Sequence, residues 1–303
     1  MTQAQAQTQS SKSSEWVTTL IQELWEAPQN DLQSAEPERA WDPPLVGFAG
    51  GADPLFAQYK RVVGPFHWTP AEAFEQGFPD ETADPGALTV IAWVLPQTTA
   101  TRRDQRAETV YPSERWARSR IYGEQFNRWL RDQLVVRLTE AGCPAVAPMA
   151  LPAWSVKDSE TYVYASTWSE RHAAYAAGLG TFGLCDGLIT PRGKAMRVGS
   201  VVAQIDLPPT PRPYTDHHAY CLYYANGTCG DCIGQCPVSA ISAAGHDKVV
   251  CRAHLDRTRR YVEATYGFEG YGCGLCQVGV PCASRIPESI ETGSAFPEVS
   301  RGA

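Results

Sequence analysis

Apolar residues along this chain follow two kinds of spacing. From Ser13 to Glu26, Trp16, Leu20 and Trp25 recur near helical spacing and predict a short amphipathic helix. From Ser113 to Ala141, Trp116, Ile121, Phe126, Trp129, Leu130 and Leu134 form a broad apolar face, which predicts a long helix that Gly142 can end. Other apolar stretches are continuous. "ALTVIAWVLP" is closed by Pro96 and reads as a central strand buried on both faces. "PPLVGFAGGADP" reads as a short strand and a glycine turn, and "AVAPMAL", "DGLITP" and "MRVGSVVAQIDL" as further strands. "HWTPAEAF" holds a helix start, with Thr69 as N-cap, Pro70 in the first turn and Glu72 reaching back. In "STWSERHAAYAAGLGTFG", Thr167 and Glu170 have capping-box spacing, which makes Glu170 a cap, and Gly178 stands where a C′ glycine belongs. "TTATRRDQRAETVYPS" reads as a polar loop. Strand and helix alternate, so the expected class is α/β or α+β.

The 303 residues suit one large domain or two of ordinary size, and 43% hydrophobic residues are enough for a core. Residues 1–12 are polar and repetitive and are expected to be a disordered leader. They hold neither an apolar signal core nor a twin arginine, so the expected location is cytoplasmic. Residues 13–208 form the expected α/β domain, and "PPTPRPYTDHH" the expected linker. A cysteine-rich module follows at 217–290, with a tail at 291–303. No run of eighteen apolar residues is present, so no membrane partner is expected. A net charge of −7 argues against nucleic acid as a partner.

Cysteine placement changes the picture. Of ten cysteines, only Cys143 and Cys185 precede residue 221, and the other eight lie between 221 and 282. Cys229, Cys232 and Cys236 are spaced C-x2-C-x3-C with Pro237 behind, as in bacterial ferredoxins, and a short helix fits the "CPVSAIS" that follows. Cys251, Cys273, Cys276 and Cys282 make a second group. Two groups of four are what two 4Fe–4S clusters require. In the ferredoxin pattern the last cysteine of each run serves the other cluster. That crossing would give Cys221, Cys229, Cys232 and Cys282 to one cluster, and Cys236, Cys251, Cys273 and Cys276 to the other. The spacings from Cys221 to Cys229 and from Cys276 to Cys282 are longer than the simple pattern. Zinc held by the two C-x2-C pairs is the alternative, but it leaves four cysteines unused. A disulfide framework suits a short secreted chain instead.

The segment "SERHAAYAAGLGTFGLCDGLITPRGKAMRVGSVVAQIDLPP", followed by a cysteine module with "CP", resembles the epoxyqueuosine reductase and reductive dehalogenase superfamily over about residues 85 to 287. The resemblance implies a nitroreductase-like domain that binds cobalamin, followed by a ferredoxin-like domain with two 4Fe–4S clusters. It further implies electrons passing from an external donor, such as a ferredoxin or flavodoxin, through the clusters to cobalt, for reductive chemistry on a small molecule. Gly178, Gly180, Thr181, Phe182, Gly183 and Arg197 are the expected cofactor-binding residues, the glycines by letting a flat macrocycle approach. A reductive cleavage needs a proton donor. Tyr164 is the candidate, because it precedes "SER" and tyrosine fills this role in dehalogenase-like members. Lys194, with Arg192 and Arg197, is the candidate to hold a substrate anion or steady developing charge. His172 reads as packed or facing a pocket, Cys143 as a packed thiol, and Cys185 as a packed thiol with a reactive role open beside the glycine loop. The chain departs from epoxyqueuosine reductases in having no acidic residue before "SER" and no appended helical repeat, so tRNA is not the expected partner. It departs from respiratory dehalogenases in the absent export signal. A pure electron carrier and a tRNA-modifying enzyme are the competing functions. The large Trp-rich upstream region counts against the first.

Overall fold

The computed structural model describes residues 12–290. The expected tail, and the leader except its last residue, fall outside the described range. In chain order the helices are α1 (Ser14–Trp25), α2 (Pro54–Val62), α3 (Pro70–Gly77), α4 (Thr99–Arg106), α5 (Glu114–Glu140), α6 (Glu170–Ala176), α7 (Leu222–Asn226), α8 (Asp231–Gly234) and α9 (Lys248–Tyr266). The strands are β1 (Leu45–Gly50), β2 (Leu88–Pro96), β3 (Ala145–Val146), β4 (Val156–Ser159), β5 (Val163–Ser166), β6 (Thr181–Phe182), β7 (Leu188–Ile189), β8 (Met196–Gln204), β9 (Ile241–Ser242) and β10 (Gly245–His246).

One antiparallel sheet, ordered β1-β2-β8-β3, forms the centre. With helices around an antiparallel sheet, the class is α+β. Strand β2 is buried along its whole length, as its unbroken apolar run requires. Its side chains alternate between two cores. Ile91, Trp93 and Leu95 meet α1 and α5 through Val17, Ile21, Phe126 and Leu130. Val90, Ala92 and Val94 meet α2, α3 and α6, and this second core also takes in Cys221, Cys232 and Cys282. Fully burying one such aliphatic side chain contributes roughly 1.5–3 kcal/mol, so β2 anchors the fold. The register sets Trp93 opposite Gly199, where a Cβ would meet the indole at 2.4 Å. The indole Nε1 donates to Asn127 Oδ1 at 2.9 Å, which fixes α5 against the sheet.

The capping box at Thr69 and Glu72 is present, and Ser113 caps α5. Several expectations need correction. The segment read as a polar loop contains α4: Thr98 accepts from Thr101 N, and Gln105 is fully buried and accepts from Ser113 N. "AVAPMAL" yields only the two-residue β3 and a short 3-10 turn, because Pro148 cannot continue the ladder. After Cys236 and Pro237 the chain forms the β9–β10 hairpin and not a helix. The expected linker is laid against the sheet domain: Phe48 N donates to Thr210 Oγ1 at 2.9 Å, and Arg212 pairs with Asp53. Among the described residues no helix is long and apolar enough to cross a membrane.

Candidate functional site

The cysteines from distant parts of the chain converge on the α6 side of the sheet. Cys221 caps α7, Cys232 lies in α8, and Cys282 arrives from the C-terminal segment. With Cys229 these three line one cavity, together with Lys194, Val280 and Pro281. Cys221, Cys232 and Cys282 are each buried to within 8%. Cys282 is brought there by backbone pairing: Lys194 N donates to Cys282 O at 2.9 Å, and Ala195 N to Ala283 O at 3.3 Å. Gly193 makes this pairing possible. Its φ is +79°, and a Cβ would meet Ala283 O at 2.3 Å. Burial raises the Cys282 thiol pKa to about 11, opposed by Lys194.

The second set gathers around α9. Cys273 lies within electrostatic reach of Cys251 and Cys236, and Cys276 within reach of Cys273. Cys236 Sγ accepts from Ala240 N at 3.2 Å. Burial raises the Cys273 pKa to about 11. His246 stands at the edge of this set. Its Nδ1 is 3.0 Å from Asp186, and hydrogen bonding to Asp186 first and Cys251 second raises its pKa to about 10. Among the described residues, no three His, Cys, Asp or Glu side chains converge on a point where a single metal ion would sit. The sulfurs of the first set line a cavity instead.

Between the two sets lies Cys185, a residue that C-x2-C patterns do not include. Its thiol hydrogen-bonds with Cys232 of the first set and Cys276 of the second, which lowers its pKa and raises theirs. Lys194 Nζ donates to Cys185 Sγ at 3.4 Å. Lys194 is only 3% exposed, and Cys282 and Ala283 cover it from a remote part of the chain.

Arg171 on α6 is exposed, and its pKa is lowered by desolvation first and by Arg197 second. Asp186, Cys185 and Cys276 lie within its electrostatic reach. His172 shares this character: burial lowers its pKa to about 3, and its ring is 5.0 Å from Phe182. Arg197 Nε donates to Glu124 Oε2 at 2.8 Å. Glu124 also meets Arg131 at 3.5 Å, and Arg131 Nε reaches Glu170 at 3.0 Å. Glu170 is therefore no cap, because Ser169 is the N-cap and accepts no side-chain bond there. Burial raises the Glu170 pKa to about 7 against Arg131 and Ser200. Two charged residues on the apolar face of α5, Glu124 and Arg131, were the available sequence signal for this network.

Of the expected cofactor-binding residues, Phe182 and Arg197 keep accessible surface, whereas Gly178, Gly180, Thr181 and Gly183 are buried. The glycines approach the chain itself. A Cβ on Gly178 would meet Pro211 O at 2.7 Å, and one on Gly180 would meet Ile189 O at 2.2 Å. Thr181 Oγ1 accepts from Tyr220 N at 2.9 Å. Tyr164 is half-buried on β5, and its hydroxyl donates to Lys248 O at 3.4 Å. Arg192 is held by Asp42 at 3.3 Å, away from Lys194. Cys143 is buried in the α1–α5 core.

No protein-family model matches the chain, and no curated protein matches it. Solved structures do. The chain is similar to an epoxyqueuosine reductase from Bacillus subtilis at 18% identity, covering 90% of this chain and 68% of that one, with a TM-score of 0.44. A second match is an epoxyqueuosine reductase with a modified tRNA-Tyr stem loop, at 18% identity, 88% and 66% coverage, and a TM-score of 0.44. A third is the catabolic reductive dehalogenase NpRdhA, at 12% identity, 89% and 36% coverage, and a TM-score of 0.45. The chain thus spans about two thirds of the reductases' length and about a third of the dehalogenase's.

Proposed function

We propose that this chain is an iron–sulfur oxidoreductase holding two 4Fe–4S clusters in crossed fashion. Cys221, Cys229, Cys232 and Cys282 hold the first, and Cys236, Cys251, Cys273 and Cys276 hold the second. The observation that carries the proposal is the arrival of Cys282 in the cavity of Cys221, Cys229 and Cys232, a cavity that Cys236 does not line. Residues distant in sequence are exchanged between the two sets, as the ferredoxin pattern requires. The donor set also suits the group: thiolate sulfurs around a buried hollow, with Lys194 as a buried cation, fit an anionic cluster.

The region around Arg171 on α6, beside the second set, is the proposed place for a cobalamin and a small-molecule substrate. Arg171, His172, Phe182 and Arg197 would line it. When bound, cobalamin supplies a strongly reducing metal centre. Arg171 and Arg197 would hold anionic groups there, and His172, neutral at ordinary pH, would pack against a flat ring. Gly178 and Gly180 would act indirectly, by letting the chain pack closely against itself. Tyr164 could give a proton only if its hydroxyl leaves the Lys248 carbonyl. The external electron donor would be a small one-electron carrier.

Paramagnetic resonance of two variants tests the crossing. Cys236→Ala should damage the cluster of Cys251, Cys273 and Cys276, and Cys282→Ala the cluster of Cys221, Cys229 and Cys232. If each substitution erased the cluster of its own sequence neighbours, the crossed assignment would be wrong.

A further inference from the structure

Resting on the two-cluster proposal, we infer that Lys194 is a positioning residue that raises the reduction potential of the cluster held by Cys221, Cys229, Cys232 and Cys282. Lys194 lines the cavity of that quartet. It is 3% exposed, its Nζ donates to Cys185 Sγ at 3.4 Å, and Cys221, Cys229, Cys232 and Cys282 line the same cavity. A buried ammonium is costly unless an anion compensates, and an anionic cluster would supply one.

The position is fixed from three sides. The Lys194 backbone N–H is bonded to Cys282 O at 2.9 Å. Its stem passes over Gly187, where a Cβ would meet Lys194 Cδ at 3.5 Å and Cys185 Sγ at 3.4 Å. Its head donates to Cys185 Sγ at 3.4 Å and stands beside Cys282. Reduction of a cubane adds one electron and no proton, so the cluster becomes more negative by one charge. A fixed positive charge in a water-poor site stabilises that state more than the oxidised one. The first cluster would then be the better electron acceptor of the two, and electrons would rest on it before crossing past Cys185. Net charge and hydrogen bonds to sulfur are the levers by which proteins set such potentials.

The test is a redox titration of anaerobically reconstituted full-length protein, followed by paramagnetic resonance. In the Lys194→Met variant one cluster should become harder to reduce. At the wild-type midpoint its reduced-to-oxidised ratio should fall about tenfold, which is about 59 mV for a one-electron couple. The other cluster should move less. An unchanged midpoint with both clusters present overturns the inference and leaves the two-cluster proposal standing. Absence of clusters from the wild type overturns both. If Lys194→Met does not load iron, Cys185→Asp decides, because a carboxylate beside the intact lysine cancels its charge and should lower the same midpoint. The wild type provides a check that needs no variant. With ¹⁵N-lysine incorporated, pulsed resonance should detect nitrogen coupled to one reduced cluster, and no coupling to either would contradict the placement.

Discussion

Replacing Gly193 by alanine probes the joint that brings Cys282 to the cavity of Cys221, Cys229 and Cys232. Gly193 has φ +79°, and its missing Cβ faces Ala283 O at 2.3 Å, Ala283 C at 2.4 Å and Ser284 Cα at 2.4 Å. All three are backbone atoms, so no flexible side chain can yield. A non-glycine residue held in the left-handed region costs about 1–2 kcal/mol. Forcing a methyl into a filled space costs about 1–3 kcal/mol more. The sum, about 2–5 kcal/mol, is a large part of an ordinary domain's stability. Relief would come by separating residues 193–195 from 282–284, which breaks the bonds from Lys194 N and Ala195 N. Cys282 would then withdraw from the cavity. Urea unfolding of Gly193→Ala should therefore give a lower midpoint, and iron content should fall toward one cluster. Resonance should find that the surviving cluster is the one held by Cys236, Cys251, Cys273 and Cys276. Stability within about 0.5 kcal/mol of wild type, the range of an ordinary surface substitution, with full iron would refute this account of the joint.

Acid should weaken the fold through His67. Burial lowers its pKa to about 4, its Nε2 has no partner, and its neighbours Lys60 and Glu72 act in opposite senses. The unfolded chain binds the proton first, so stability present above pH 6.5 is lost as pH falls toward 4, by about 3 kcal/mol for a shift of this size. His67→Phe should flatten that part of the urea-stability profile, with His172 retaining its own share; an unchanged slope would count against the buried neutral ring. Hydroxocobalamin added to cluster-loaded protein should remain bound through gel filtration with a base-off spectrum, and Arg171→Ala should weaken retention while both clusters stay intact. Tyr164→Phe should keep the cofactor and lose turnover; loss of the cofactor instead would make Tyr164 structural. Transfer RNA should bind weakly even at low salt, given the net charge of −7; tight, salt-sensitive binding would restore tRNA as a partner.

What could be read from sequence depended on how local its cause was. Strand β2 was legible because its apolar run admits no other place than the middle of a sheet. The Thr69 and Glu72 box was legible because donors and acceptors lie three residues apart. The same local rule misassigned Glu170, because Arg131 and Ser200 bind its carboxylate across the fold. Helix α4 was missed because its polar sequence lacks an apolar stripe; buried Thr101 and Gln105 hold it by tertiary contact. At the site, spacing could not anticipate the burial of Lys194, which depends on backbone pairing between residues 194–195 and 282–283. The glycines of "AGLGTFG" were recognised as close-approach positions, but what approaches them is the chain's own 189 and 210–211 segments.

Iron and acid-labile sulfide in anaerobically prepared full-length protein test the central claim most directly. Two cubanes predict about eight iron and about eight sulfide per chain. They also predict a broad visible shoulder that dithionite bleaches. Stoichiometric zinc with little iron and no labile sulfide would contradict the claim.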